Sequence, residues 1–230
     1  MNSRHAWFIT GTDTEIGKTH IACVLLHTLR NAGYRTLAMK PVAAGTDVNG
    51  LNDDVERLLA ACTETAAREM VNPYLFAAAI APHIAAVEEG RRIEATTILA
   101  AFQRLQALAD AVIVEGVGGF CVPLNEQLDT ADLATALQLP VILVVGMRLG
   151  CINHALLTAQ AIVARGLPFA GWVANCIDPA MARLRENLDA LQSRLPAPLI
   201  GIVAHGQQPL EAACALRLPP GTAADYLSKR

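Results

Sequence analysis

The chain has 230 residues, a size that suits one α/β domain, and we predict a single domain over residues 1–230. Hydrophobic residues make up 53% of it and charged residues 17%, which indicates a large core or a buried subunit interface. The net charge of -3 argues against nucleic-acid binding, and no apolar run reaches the length of a membrane span. The first strand begins too early to leave room for a signal peptide, and the six cysteines are scattered. We therefore expect a cytoplasmic protein with reduced thiols.

Apolar runs and helical periodicities alternate along the whole chain. Strands are predicted up to Gly11 and then over residues 36–39, 111–114, 141–145, 171–175 and 198–203. Helices are predicted over residues 18–32, 53–67, 93–109, 132–137, 151–165 and 181–195. This alternation predicts an α/β fold, in which a parallel sheet carries helices on both faces. Ligands of such sheets bind beyond the carboxyl ends of the strands, so the polar segments there should converge.

The segment at residues 11–19, GTDTEIGKT, carries the first functional signal. It lies between a predicted strand and a predicted helix, an order that presents backbone N–H groups and a helix dipole to a phosphate. Five residues separate Gly11 from Gly17, whereas the general phosphate-loop pattern has four, so this loop is a variant. The pattern predicts that Lys18 contacts the terminal phosphates of a nucleotide and that the Thr19 hydroxyl binds Mg²⁺.

Other polar residues follow the predicted strands or begin helices. Lys40 ends the second strand, where it could neutralise charge on a transferring phosphoryl group or be an ordinary surface lysine. Glu115 follows a buried strand, which suits a Mg²⁺ ligand or a turn cap. Asp53 and Asp54 begin a helix, and their spacing does not decide between capping and metal binding. Residues 150–153 begin another helix, whose free N–H groups suit a carboxylate, although an ordinary helix start fits equally well.

Read together, these residues resemble the dethiobiotin synthetase family of biotin biosynthesis. The matching segments are GTDTEIGKT at 11–19, KPVAAG at 40–45, VNPY at 71–74, PH at 82–83, VEGVGGF at 114–120, PVILVVGMRLGCINHALLTAQ at 140–160, GWVAN at 171–175 and PAPLIG at 196–201. They cover most of the chain in order. The five-residue spacing of the phosphate loop is also the spacing of that family.

The resemblance implies a P-loop NTPase-like fold, a homodimer and an ATP- and Mg²⁺-dependent ring closure. The substrate would be 7,8-diaminononanoate, one amine of which adds carbon dioxide, in equilibrium with bicarbonate, to form a carbamate. The carbamate would attack the γ-phosphate of ATP and form a carbamic-phosphoric anhydride. The second amine would then close the cyclic urea of dethiobiotin and expel phosphate, with ADP as the other product. The resemblance implies neither a nucleic-acid partner nor a membrane partner.

The resemblance also assigns residues. It implies catalytic roles for Lys18 and Lys40. It implies that Thr19, Asp54 and Glu115 bind Mg²⁺, which selects Asp54 over Asp53. The implied ATP-binding residues are Glu15, Ile16, Gly17, Lys18, Thr19, His20, Asp54, Glu115, Gly116, Gly118, Asn175, Cys176, Ala204, His205, Gly206 and Glu211. The implied diamine-binding residues are Thr14, Lys40, Ala44, Gly150, Cys151, Ile152 and Asn153, the last four reached from the partner subunit.

Two residues depart from the family pattern near the diamine. Ala44 stands where the family usually has serine, and Asn187 stands where a tyrosine is expected. Loss of one hydrogen bond at Ala44 would either cost about 1 kcal/mol of binding free energy or be compensated by water. The phosphate and metal residues are intact, so the departures concern the affinity for the diamine.

Three other functions fit parts of the sequence. Regulatory or metal-insertion ATPases of the partitioning type commonly carry an extra lysine inside the phosphate loop, and residues 12–16 contain none. GTPases carry an Asn-Lys-x-Asp guanine motif, which does not occur in this sequence. A nucleotide-binding module without chemistry would not need Lys18, Lys40 and Glu115 together.

Overall fold

A computed structural model of the protein describes residues 5–218. Its strands are β1 (His5–Gly11), β2 (Thr36–Met39), β3 (Val42–Ala44), β4 (Tyr74–Phe76), β5 (Ala111–Glu115), β6 (Val141–Gly146), β7 (Phe169–Asn175) and β8 (Leu199–Val203). Its helices are α1 (Lys18–Asn31), α2 (Asp53–Ala61), α3 (Arg68–Val71), α4 (Pro82–Glu88), α5 (Ala95–Leu108), α6 (Thr130–Leu137), α7 (Cys151–Ala164), α8 (Leu184–Arg194) and α9 (Pro209–Ala212). A short 3₁₀ turn, Ala213–Ala215, follows α9.

Six strands form one parallel sheet in the order β2-β5-β1-β6-β7-β8. The carboxyl ends of the strands therefore meet at one edge. There Ile9 is in register with Glu115, and Gly146 with Asn175. This confirms the predicted α/β fold with a parallel sheet.

Side chains of β1 alternate between two hydrophobic cores, one on each face of the sheet. Phe8 packs into the first core, whereas Trp7 and Ile9 pack into the second, which also contains much of α1. Burial on both faces explains why the central strands read as continuous apolar runs instead of alternating ones. Within residues 5–218, no helix is both long enough and apolar enough to cross a membrane.

The sequence prediction was wrong about the segment after β2. The helix predicted over residues 53–67 ends at Ala61, and the short helix α3 follows separately. The backbone N–H of Thr63 donates to the Thr36 hydroxyl at 3.2 Å, and Thr36 N–H donates to the Thr63 hydroxyl at 2.7 Å. These bonds to β2 replace those that would have continued the helix.

The sequence prediction also missed a second, two-stranded parallel sheet. In it Val42 pairs with Tyr74 and Ala44 with Phe76. Each strand has only three residues, which is too short to show a period-2 pattern. This small sheet positions Ala44 at the wall of a cavity of about 740 Å³.

Candidate functional site

The phosphate loop connects β1 to α1 and is held by the end of β7. Gly17 precedes the helix with φ of 81°, a left-handed conformation that favours glycine. The Asn175 amide donates to the Ile16 carbonyl at 2.8 Å, and a Cβ at Gly17 would lie 2.3 Å from Asn175 Nδ2. The Lys18 ammonium donates to the Asp13 carbonyl at 2.8 Å. Burial lowers the pKa of Lys18 to about 8.

We expect Gly17→Ala to lower ATP affinity at least tenfold, or about 1.4 kcal/mol, because the new methyl group would displace Asn175 and the loop. Gly50→Ala is a matched control. Gly50 has a similar φ of 76°, but a Cβ there meets no atom within 4 Å. Both variants should lose about 1–2 kcal/mol of stability through backbone strain. Calorimetric titration with ATP checks the difference, and equal affinity in the two variants would contradict the role of Asn175.

Lys40 is the centre of a buried polar cluster that faces the phosphate loop. Its ammonium donates to Glu115 Oε1 at 2.5 Å and to Asp54 Oδ2 at 3.1 Å. The Thr19 hydroxyl donates to the same Glu115 oxygen at 2.8 Å. The side chains of Lys40 and Glu115 are 5% and 0% exposed. A lysine this deeply buried is not an ordinary surface lysine.

Opposite charges in this cluster shift the pKa values of Lys40 and Asp54 toward their charged forms. Burial alone would lower the pKa of Lys40, but the neighbouring Glu115 and Asp54 carboxylates outweigh it and raise that pKa. Burial would raise the pKa of Asp54, but the Lys40 ammonium and the Thr19 hydroxyl hold it below its usual range. Lys40 is therefore a fixed positive charge near neutral pH.

The same cluster fits a hard cation. Glu115 Oε2 is buried and has no hydrogen-bond partner among the described residues, so one carboxylate oxygen is left for a ligand. The Thr19 hydroxyl and Asp54 carboxylate supply further oxygens, the donor type that Mg²⁺ prefers. Asp53, in contrast, is 85% exposed and contacts Arg57 on its own helix at 3.8 Å. The geometry thus favours Asp54 over Asp53.

Two cavities adjoin at the carboxyl edge of the sheet. The larger, about 740 Å³, is lined by the predicted residues Thr14, Glu15, Gly17, Lys18, Thr19, His20, Lys40, Ala44, Asp54, Glu115 and Gly118. The smaller, about 320 Å³, is lined by the predicted residues His20, Asn175, Cys176, Ala204, His205 and Gly206. The larger has the cations that a polyphosphate needs, and the smaller has the size and amide groups to suit a nucleobase.

Some predicted residues do not line either cavity. Ile16, within the loop, and Gly116, directly after β5, are buried, and Glu211 lies in α9. Gly150, Cys151, Ile152 and Asn153 lie at the start of α7, and Gly150 has the left-handed φ of 93° that begins that helix. Asn187, a departure from the family pattern that was assigned to no ligand, lies on α8, where its amide donates to the Arg183 carbonyl. The assignments of these residues to ATP or diamine remain predictions.

The sequence prediction missed four polar residues that line the cavities. Gln207 and Gln208 line the smaller one, and the other two, Asn52 and Arg57, lie on or beside α2. Asn52 caps α2, accepting from Val55 N–H at 3.2 Å, and lines the larger cavity. Arg57 lines both cavities. Arg57 follows Asp54 by three residues on one helix, a spacing that puts both side chains on the same face. This spacing could have predicted Arg57 as a site residue.

Comparisons with known proteins agree with this geometry. A family described as an AAA domain matches residues 5–209. An ATP-dependent dethiobiotin synthetase BioD from Aromatoleum aromaticum is 58% identical, with 95% of this chain and 100% of the relative covered. One from Pseudomonas aeruginosa is 54% identical, covering 93% and 95%.

Solved structures show the fold at lower identity. A ParA family ATPase from Chlorobium tepidum matches with a TM-score of 0.54 and 14% identity, covering 89% of this chain and 85% of that one. The MinC:MinD cell division protein complex of Aquifex aeolicus matches with a TM-score of 0.52 and 15% identity, covering 87% and 81%. These likenesses confirm a P-loop NTPase-like fold, while the family follows from the much closer sequence relatives. The chain belongs to the dethiobiotin synthetase family.

Proposed function

We propose that this protein forms dethiobiotin from 7,8-diaminononanoate, carbon dioxide and ATP. The observation that carries the proposal is the buried Lys40 ammonium, which faces the phosphate loop across a cavity of about 740 Å³. Relatives at 58% and 54% identity bear the name of this enzyme. The cavity has room for both a triphosphate and a small second substrate.

Phosphoryl transfer needs alignment and charge neutralisation more than a covalent nucleophile. The loop N–H groups and Lys18 would hold the β- and γ-phosphates. Lys40 would face the γ-phosphate from the opposite side, next to the incoming carbamate oxygen. Its positive charge, fixed by Glu115 and Asp54, would stabilise charge that develops during transfer without reorganisation.

Part of the wall of the larger cavity is apolar. It is formed by Ala43, Ala44, Val117 and Val122, together with residues 79–82. This wall suits the hydrocarbon chain of the diamine, while the amines would point toward Lys40. Ala44 offers no hydroxyl to them, so a diamine amine would rely on water or backbone groups there.

Thr19, Asp54 and Glu115 would hold Mg²⁺ in this site. The ion would neutralise phosphate charge and orient the triphosphate when bound. The free Oε2 of Glu115 supports this assignment.

A homodimer would complete the diamine site. Residues 150–153 lie outside the cavity of their own subunit, at the N-terminal end of α7, which is the helix end that attracts a carboxylate. Leu149, directly before them, is 94% exposed in the single chain, as expected for a side chain that a partner covers. These residues would bind the carboxylate of a diamine held by the partner subunit.

We expect phosphate release from ATP to depend on both the diamine and bicarbonate. The reason is that the carbamate, and not water, is the acceptor of the phosphoryl group in this proposal. A continuous phosphate assay with each substrate omitted in turn checks it. Turnover with ATP alone, unaffected by the diamine, would contradict the proposal and favour a nucleotide-driven switch.

A further inference from the structure

Arg57 lies at the junction of the two cavities. Of the residues that line them, His20 and Arg57 are the two that line both. A nucleotide with its terminal phosphates on the loop and its base in the smaller cavity must pass this junction. The part of the nucleotide between those ends is the α-phosphate and the ribose.

The guanidinium of Arg57 is available to a ligand. Its side chain is 41% exposed, and its ion pair in the structure is a 3.8 Å contact with Asp53, which is 85% exposed. Surface pairs of this kind contribute about 0–1 kcal/mol, so a phosphate oxygen could readily replace Asp53. The backbone at Arg57 is fixed, since its carbonyl accepts from the Cys23 thiol of α1 at 3.5 Å.

Arg57 adds a positive charge at the junction, where it lines both cavities. The charges deeper in the larger cavity are matched, because Lys18 and Lys40 face Asp54 and Glu115. The net charge of these four residues is zero. A bound triphosphate, even with one Mg²⁺, therefore brings negative charge that they do not neutralise, and Arg57 supplies a further cation.

We propose that the Arg57 guanidinium binds the α-phosphate of the nucleotide, at the junction between the phosphate cavity and the base cavity. A guanidinium presents two parallel N–H donors that match phosphate oxygens, which suits it to this position better than a lysine. The inference rests on the proposed use of ATP and adds a nucleotide contact from α2.

The test is a series of binding titrations with ATP, ADP, AMP and adenosine. They are carried out on the unaltered protein and on the variants Arg57→Ala, Arg57→Lys and Asp53→Ala. Asp53→Ala is the matched control, because it removes the same helix-surface ion pair but keeps the guanidinium. We expect Arg57→Ala to lower the affinities for ATP, ADP and AMP about tenfold each and to leave the affinity for adenosine unchanged. Arg57→Lys should recover part of the lost affinity. Asp53→Ala should bind all four ligands with the same affinities as the unaltered protein.

Several outcomes would overturn the proposal. If Arg57→Ala lowered the affinities for adenosine and AMP equally, Arg57 would contact the ribose or the base, or would only support the shape of α2. The same loss of affinity in Asp53→Ala would mean that the Arg57–Asp53 ion pair, and not a phosphate contact, causes it. No loss of affinity in Arg57→Ala would show that Arg57 does not bind the nucleotide. If the original protein binds none of the four ligands, the proposed function itself fails, a result distinct from the others.

Discussion

Lys40→Ala is expected to lower turnover by about a thousandfold while ATP binding stays within a few-fold of the original. A preorganised charge aimed at the reacting group contributes about 10²–10³ to kcat. ATP should still bind, because the loop and Lys18 are held by Asp13 and Asn175 and not by Lys40. The measurements are steady-state phosphate release and calorimetric titration with ATP.

Stability must be measured in parallel, because Lys40→Ala leaves the Glu115 carboxylate buried without its cation. Breaking a buried ion pair costs about 3–5 kcal/mol. Lys40→Met keeps most of the side-chain volume and separates loss of charge from loss of packing. Both variants should show this loss of about a thousandfold in turnover at temperatures where circular dichroism shows them folded. Substantial turnover in either folded variant would remove Lys40 from the mechanism.

Glu115→Gln is expected to lower turnover about a hundredfold, or about 3 kcal/mol in barrier height, and to raise the Mg²⁺ concentration needed for half-maximal activity. Glu115 accepts from both Thr19 and Lys40 through Oε1 and keeps Oε2 free. Glutamine retains the shape but loses the charge and one oxygen ligand. A Mg²⁺ titration of turnover measures both effects.

Glu126→Gln is the control for this change. It removes one carboxylate from a side chain that is 69% exposed, pairs with Arg92 and lines neither of the two cavities. Its turnover and Mg²⁺ requirement should match the original protein. If Glu115→Gln behaves like this control, Glu115 does not bind the metal.

The sequence predicted the sheet and its functional edge because those features depend on local patterns. The apolar runs of β5 and β6 are buried on both faces, and the phosphate loop has a fixed order of strand, loop and helix. Lys40 and Glu115 could be placed at the same edge because parallel strands end together. Residue type alone did not distinguish Asp53 from Asp54 as a candidate metal ligand. In the structure the Asp53 side chain is 85% exposed, whereas the Asp54 side chain is 40% exposed and contacts Lys40.

What the sequence could not predict depends on contacts between distant segments. The end of α2 at Ala61 follows from bonds between Thr63 and Thr36, which are 27 residues apart. The pairing of β3 with β4 brings Ala44 to the larger cavity through two strands too short to carry a pattern. Arg57 was not predicted as a site residue, because only the folded chain places it beside both cavities.

Transfer of oxygen-18 from labelled carbon dioxide to inorganic phosphate tests the central claim most directly. When the carbamate attacks the γ-phosphate, one carboxyl oxygen becomes the bridging atom and leaves with phosphate as the ring closes. We predict one oxygen-18 in each phosphate released in the presence of the diamine, read by mass spectrometry, together with a product of the mass of dethiobiotin. Unlabelled phosphate would contradict this account, because it would mean that water attacks ATP.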